Sequence, residues 1–475
     1  MAASVISLIQ SLNLDFKTFW RWIPSRHYSS DAVDTPVTWE RHQNLYARPF
    51  DPFEQFFSDY CAHPDRPGFR SLDVVATVSV SFATKPPPPA ELIKIIKNAW
   101  MRMRYLHPSL AAESTRAGFQ YAPFTSRLSV EEWVEDTFVL SSPEYGQELG
   151  VPASRSSSRV KLYYLPSQDG FRLTLCADHM VLDGQGTGFL FHDLFTEMAR
   201  LEAGGQVIHE PLGADLQRLP CGSFDTLGIS ARQQELLPPL SLPPLRPDAK
   251  AFETLPVTKN AALAADQPGI GRTQAWTLSE EETSALFRAI KAQGLRFTPF
   301  VHAAILHAER KMNGRQLPAN TTYGTSLIFD IRNQCRDSHT AALRIGFWPI
   351  QLKLGDSIRQ TAHQLNYEYT RLAQNKAAAI LKMVPYLRQA ASVYAAYTES
   401  IHSFIGDYSL KVREQYGSFR VQDISAVAQP TDQRVYVGIQ TFRDRLTFNV
   451  AYNDAFHDAA QVEEFLNLLR ETIKV

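Results

Sequence analysis

Cysteine is scarce in this chain of 475 residues: Cys61, Cys176, Cys221 and Cys335 are all it has, and no two form a C-x-x-C pair. That spacing offers neither a cysteine-built zinc site nor a disulfide framework, and it fits a reducing, cytoplasmic setting. Net charge is also missing. Forty-eight Lys and Arg stand against 49 Asp and Glu, leaving a formal charge of -1, so no long-range field draws the protein to nucleic acid or an anionic membrane. No run reaches the roughly 18 apolar residues needed to span a bilayer. The opening MAASVISLIQSLNLDFKTFWRW has no basic segment before its short apolar run and no small-residue cleavage pattern, so it is not read as a secretory leader; Asp15 argues against organelle targeting. It is expected to be structural or loosely ordered.

What is present is an ordinary globular composition, 44% hydrophobic and 20% charged, on a chain too long for one simple core. Two domains are the expectation. A Val- and Ser-rich strand is predicted from Leu72 to Thr84, ended by the proline run 86–89. Leu92, Ile95, Ile96, Ala99, Met103 and Leu106 then fall at helical spacing, up to Pro108. Strands are predicted at 160–165 and 171–177, and a helix carries Leu190, Leu194, Met198 and Leu201 on one stripe, closed by Gly204-Gly205. From Pro211 to Pro256 eight prolines interrupt any periodicity, which reads as a connector packed across the surface.

Beyond it, strands are predicted near 273–278, 320–329, 346–352, 435–441 and 446–452. Ser279 and Glu282 form a capping box, and Thr298-Pro299 reads as an N-cap with an N1 proline for a helix running to about Asn313. Ala459, Val462, Phe465, Leu466, Leu469 and Ile473 make the stripe of a closing helix. The pattern predicts two α/β lobes, residues 1–210 and 266–475, joined by a connector at 211–265, with a cleft between lobes as the place for a ligand.

Chemistry is concentrated in LTLCADHMVLDGQGTGFLFHD, residues 173–193. A buried strand runs into His179, Asp183 follows after three residues, and Gly184, Gly186 and Gly188 open a helix. By strand parity His179 points inward with Leu173, Leu175 and Ala177, where it must find partners. An imidazole with an ordinary pKa near 6.5 can take a proton at neutral pH and return it. Taken alone, a histidine at a strand end is more often a hydrogen-bonded core residue, and Asp-Gly is a common turn dipeptide. A phosphate-binding loop is excluded by spacing: Phe189 stands where the dinucleotide fingerprint needs Gly or Ala. His302 and His307, five apart on one helix, do not stack as metal ligands would, and His192-Asp193 and His457-Asp458 lack a supporting context.

The segment His179-Met180-Val181-Leu182-Asp183-Gly184 resembles the H-x-x-x-D-G motif of CoA-dependent acyltransferases and nonribosomal peptide condensation domains. RYLHPSL (104–110) and LRFTPFVHAAILHA (295–308) resemble helices of the same superfamily, and TWERHQNLYARPFDPFEQFF (38–57) is similar to fungal trichothecene 15-O-acetyltransferase-like enzymes. The resemblance implies a two-lobed, chloramphenicol acetyltransferase-like α/β fold in which each lobe is a mixed sheet flanked by helices. It places His179 as general base in a channel between the lobes, and pairs Asp183 with an arginine of the other lobe, for which Arg332 in FDIRNQCR is the candidate. Acyl-CoA, expected to be acetyl-CoA, is implied as co-substrate, with a hydroxyl of a small, fairly apolar secondary metabolite as acceptor. No metal and no tightly bound cofactor is expected, and the protein is expected to be a monomer.

Two departures stand out. Asp178 occupies the position of an additional histidine in condensation domains, and the D-F-G-W-G segment of plant acyltransferases is absent. Asp423-Ile424-Ser425 is the candidate for a strand that contacts the reaction centre. Two competing readings keep the fold: a condensing or product-releasing enzyme fed by a carrier protein in trans, and a cyclase or binding protein that transfers no acyl group.

Overall fold

The computed structural model describes residues 39–61, 72–115, 118–141, 151–152, 160–229, 255–256, 269–313, 322–332, 341–374, 401–430 and 433–474. The apolar N-terminal stretch and most of the proline-rich connector lie outside the described residues. In chain order the first half holds β1 (Glu40–His42), β2 (Leu45–Pro49), α1 (Pro52–Cys61), β3 (Leu72–Phe82), α2 (Pro89–Leu106), β4 (Ala112–Ser114) and β5 (Gly118–Tyr121). It continues through α3 (Arg127–Thr137), β6 (Phe138–Leu140), β7 (Val151–Pro152), β8 (Val160–Ser167), β9 (Gly170–Asp178) and α4 (Gly184–Glu202). After a short α5 (Ser223–Thr226), the second half holds β10 (Ile270–Thr277), α6 (Glu280–Ala292), α7 (Phe297–Met312), β11 (Thr322–Asp330), β12 (Ile345–Lys353) and α8 (Ile358–Gln374). It ends with β13 (Ile401–Asp407), β14 (Gln415–Tyr416), β15 (Phe419–Pro430), β16 (Tyr436–Phe442), β17 (Arg445–Asn453) and α9 (Ala459–Ile473).

The alternation read in the sequence becomes the core face of a sheet: Leu72, Val74, Ala76, Val78 and Val80 of β3 are all buried. Strand order is β14-β15-β3-β9-β8-β6, antiparallel throughout except for the parallel β6–β8 pair. Helices α2 and α4 pack against each other, and α4 also against β3 and β15. The apolar stripes of α2 (Leu92, Ile96, Ala99, Met103) and α4 (Leu190, Leu194, Met198) are buried there. Helix α2 stops at His107 because Pro108 has no N–H to continue it. Past Ala203, the cap of α4, Gly204 takes φ +86°, a conformation that a side chain would strain.

A second sheet, β13-β16-β17-β10-β7, belongs mainly to the second half, and a smaller one, β1-β2-β5-β4, lies in the first. The halves trade strands. β15, from the last quarter of the chain, pairs along β3 from Phe419↔Phe82 to Pro430↔Leu72, and β7 from the first half pairs with β10. β11 and β12 pair separately, Thr322↔Lys353 through Asp330↔Ile345. The described part of the proline-rich segment is tied down: Asp215 pairs with Arg104, and Phe224 donates its N–H to Asp51.

Ser279 and Glu282 form the capping box of α6. Helix α7 differs from its expected start: it opens at Phe297 with Arg296 at the cap, so Thr298 is inside the helix. Pro299 still falls in the first turn, where backbone N–H groups have no intrahelical partner to lose. Among the described residues no helix is long and apolar enough to cross a membrane.

Candidate active site

Strand β9 ends at Asp178, and the chain turns through 179–182 before Asp183 caps α4. The entry is fixed by Asp178: its carbonyl accepts the Val181 N–H at 3.0 Å, its Oδ1 the Met180 N–H at 2.9 Å, and its Oδ2 the Ser114 hydroxyl at 3.1 Å. The exit is fixed by Asp183, which is fully buried. Its Oδ1 accepts the Gly186 N–H at 2.8 Å and Arg332 Nη2 at 2.9 Å, while its Oδ2 accepts Arg332 Nη1 at 3.0 Å and the Arg344 N–H at 2.7 Å. Arg332, at the end of β11, also donates to Asp330 and to the Ala342 carbonyl. Burial works to raise the Asp183 pKa, but the Arg332 guanidinium and the two N–H groups hold it below its ordinary value of 3.8.

The glycines of the turn serve close packing. A Cβ on Gly184 would stand 3.1 Å from Ile405, one on Gly186 3.1 Å from Arg332 Nη2, and one on Gly188 3.1 Å from the Tyr408 ring. Tyr408 donates its hydroxyl to the Gly184 carbonyl at 2.8 Å and also bonds Thr187 at 2.9 Å. The loop bearing His179 is therefore gripped by residues more than 140 positions further along the chain.

His179 itself keeps 8% of its surface exposed. Phe57 of α1 meets its ring edge to face, centroids 5.1 Å apart and planes at 76°. Phe57 is backed in turn by Phe53 and by Phe347 of β12. The Nδ1 atom is buried with no hydrogen-bond partner. Burial lowers the imidazole pKa below 6.5; the nearby carbonyls of His179 and Leu182 and the charges of Asp183 and Asp178 oppose this and are outweighed. The ring is therefore neutral at pH 7.

Sequence reading thus placed His179, Asp183, Gly184 and Arg332, and the structure brings the four together. It missed Phe57, Phe347, the Arg344 N–H and Tyr408, for which single-sequence patterns carry no signal. One expectation is corrected. Ile424 lies level with Val78 and Leu173, well back from the end of β9, because the register runs Gln429↔Asp73↔Asp178; Gln429, rather than Asp423-Ile424-Ser425, is in the row of the motif.

Several other histidines have partners of their own, although Nδ1 of His107 and of His402 is, like that of His179, buried without one. His302 is fully buried, with Nδ1 at 3.1 Å from the Tyr369 hydroxyl and Nε2 at 3.5 Å from the Thr325 hydroxyl. His402 Nε2 meets Glu309 at 2.8 Å, which also accepts the Tyr323 hydroxyl at 2.7 Å. His307 bonds Thr361, His192 bonds Tyr416, and His457 bonds the Gln433 carbonyl.

No family model matches the chain. A curated relative, acetyltransferase pigO from Monascus ruber, is 22% identical over 407 residues, covering 81% of this chain and 85% of its own. Among solved structures, the trichothecene 15-O-acetyltransferase from Fusarium sporotrichioides superposes with a TM-score of 0.72 at 15% identity, over 94% of this chain and 99% of that one. The epimerization domain from the third module of tyrocidine synthetase B gives a TM-score of 0.53 at 13% identity, over 91% and 98%. The chain has the two-lobed, chloramphenicol acetyltransferase-like fold shared by CoA-dependent acyltransferases and condensation-type domains, the superfamily it resembles.

Proposed function

We propose that this chain transfers an acyl group, acetyl in the first instance, from acyl-CoA to a hydroxyl of a small, fairly apolar secondary metabolite, with His179 as general base. The observation that carries the reading is a neutral, nearly buried imidazole on a loop held from both ends by buried carboxylates. Acetyltransferase relatives and the fold support the transfer reaction.

The reaction follows from the site. With Nδ1 buried, Nε2 is the nitrogen that faces the reactants. It takes the hydroxyl proton as the oxygen bonds to the thioester carbonyl, and the tetrahedral adduct then expels sulfur. The imidazolium returns its proton to the departing thiolate, giving an ester and free thiol with no covalent enzyme intermediate. Such base catalysis contributes on the order of 10² to 10⁴ in rate. Because Asp183 is saturated by Arg332 and backbone N–H groups, its part is to hold the loop, not to share a proton with His179. The phenyl ring of Phe57 beside the imidazole, backed by Phe347, favours an apolar acceptor.

The test is the mass of the product. Incubated with acetyl-CoA and a panel of apolar alcohols, the protein is expected to yield a species heavier by one acetyl unit; no product with any thioester, or a product of unchanged mass, overturns the reading. The likeness to a peptide synthetase domain favours a second donor, an acyl group on a carrier protein. Comparing rates with carrier-bound and CoA-bound thioesters separates the two.

A further inference from the structure

We infer that Asp178 is a positioning residue for the proposed base: its buried carboxylate ties the turn on which His179 rides and places a negative charge on the residue that precedes it. The inference rests on the acyl-transfer reading of the same site. Asp178 is one residue ahead of the motif, and its side chain lies on the opposite face of β9 from the Leu173, Leu175 and Ala177 parity that His179 continues. Only 4% of it is exposed. One carboxylate oxygen takes the N–H of the residue after His179, and the other takes the Ser114 hydroxyl from β4. The two backbone neighbours of His179 are thereby joined to each other across it. A strand end without such a tie frays, and a ring on a frayed turn samples many orientations.

Asp73 of β3 stands directly across from Asp178 in the sheet register, Asp183 is paired with Arg332, and α1 contributes the apolar Phe57. Asp178 and Asp183 both favour the protonated ring, against burial. Of these two, Asp183 is held in an ion pair with Arg332.

Asp178→Asn keeps the shape and an oxygen for the Met180 N–H while removing the charge. The experiment is an NMR titration of the His179 ring in the wild type and in this variant, alongside the pH profile of thiol release. The expected result is a lowered titration midpoint, with the rising limb of kcat/KM moving by the same amount. Asp178→Glu, which keeps the charge, is expected to retain the wild-type midpoint with a lower kcat. A folded Asp178→Asn protein whose imidazole titrates as in the wild type overturns the inference. If the ring titration shifts but no thioester is ever consumed, the acyl-transfer reading fails while the placement of Asp178 stands.

Discussion

Two histidines of this molecule are buried with lowered pKa values, and they differ in what their nitrogens do. His302, inside the second half, has the Tyr369 and Thr325 hydroxyls at its two nitrogens. Burial, with His402 beside it, drives its pKa well below 6.5. His179 is nearly as enclosed, yet its Nδ1 has no hydrogen-bond partner and its ring lies edge to face with Phe57. Burial alone does not distinguish a reactive imidazole from a core one; both lose solvent, and both stay neutral. Nor does an unpartnered Nδ1, which His107 and His402 share with His179; what sets His179 apart is its place on a turn held at one end by Asp178 and at the other by Asp183. The support also differs in origin. His302 is held by side chains of its own half, whereas the His179 loop is fastened by Arg332, Arg344 and Tyr408 from far along the chain.

That contrast can be broken at several points. Arg332→Ala leaves Asp183 buried and unpaired, and breaking a buried pair in this way costs roughly 3–5 kcal/mol, read as a fall in the urea midpoint; activity is expected to collapse with it. An unchanged midpoint would mean that the clamp holds nothing. His302→Ala opens a cavity and strands two hydroxyls, costing about 2–4 kcal/mol, but the folded fraction is expected to keep its acyl-transfer rate within a few-fold. A hundredfold loss of rate in fully folded His302→Ala would erase the distinction between the two histidines. Tyr369→Phe removes one hydrogen bond to His302 and is expected to cost about 1 kcal/mol, with no change in the pH profile of the reaction.

Acidity acts on both sites with the same sign. Each imidazole has a folded pKa below its ordinary 6.5, so the unfolded chain binds protons that the folded chain refuses. Stability from these two groups is complete above pH 6.5 and is lost as pH falls below it. Unfolding followed between pH 8 and pH 5 is expected to show that decline, and His302→Gln, which cannot be protonated, is expected to flatten part of it.

How far the sequence carried the argument depended on range. The strip from Leu173 to Asp193 was legible because strand parity and a glycine run opening a helix are local signals, and the structure keeps them in register. Arg332 was reached through resemblance alone; no spacing of residues 149 positions apart could have paired it with Asp183. The insertion of β15 beside β3 is likewise a long-range pairing, and it left the Asp423-Ile424-Ser425 expectation several residues from the motif row. Thr298 misled because a good cap residue one position before proline looks like a helix start, while the chain began the helix at Phe297. Phe57 had no signal at all, being one aromatic among several on an amphipathic helix.

The central claim is that the neutral imidazole of His179 removes the acceptor proton. Its most direct test is release of free thiol from acetyl-CoA in the presence of an accepted alcohol, measured for the wild type and for His179→Ala at matched folded concentration. The account predicts a loss of at least about a hundredfold in the variant with its melting temperature retained. Equal rates in the two proteins would contradict it.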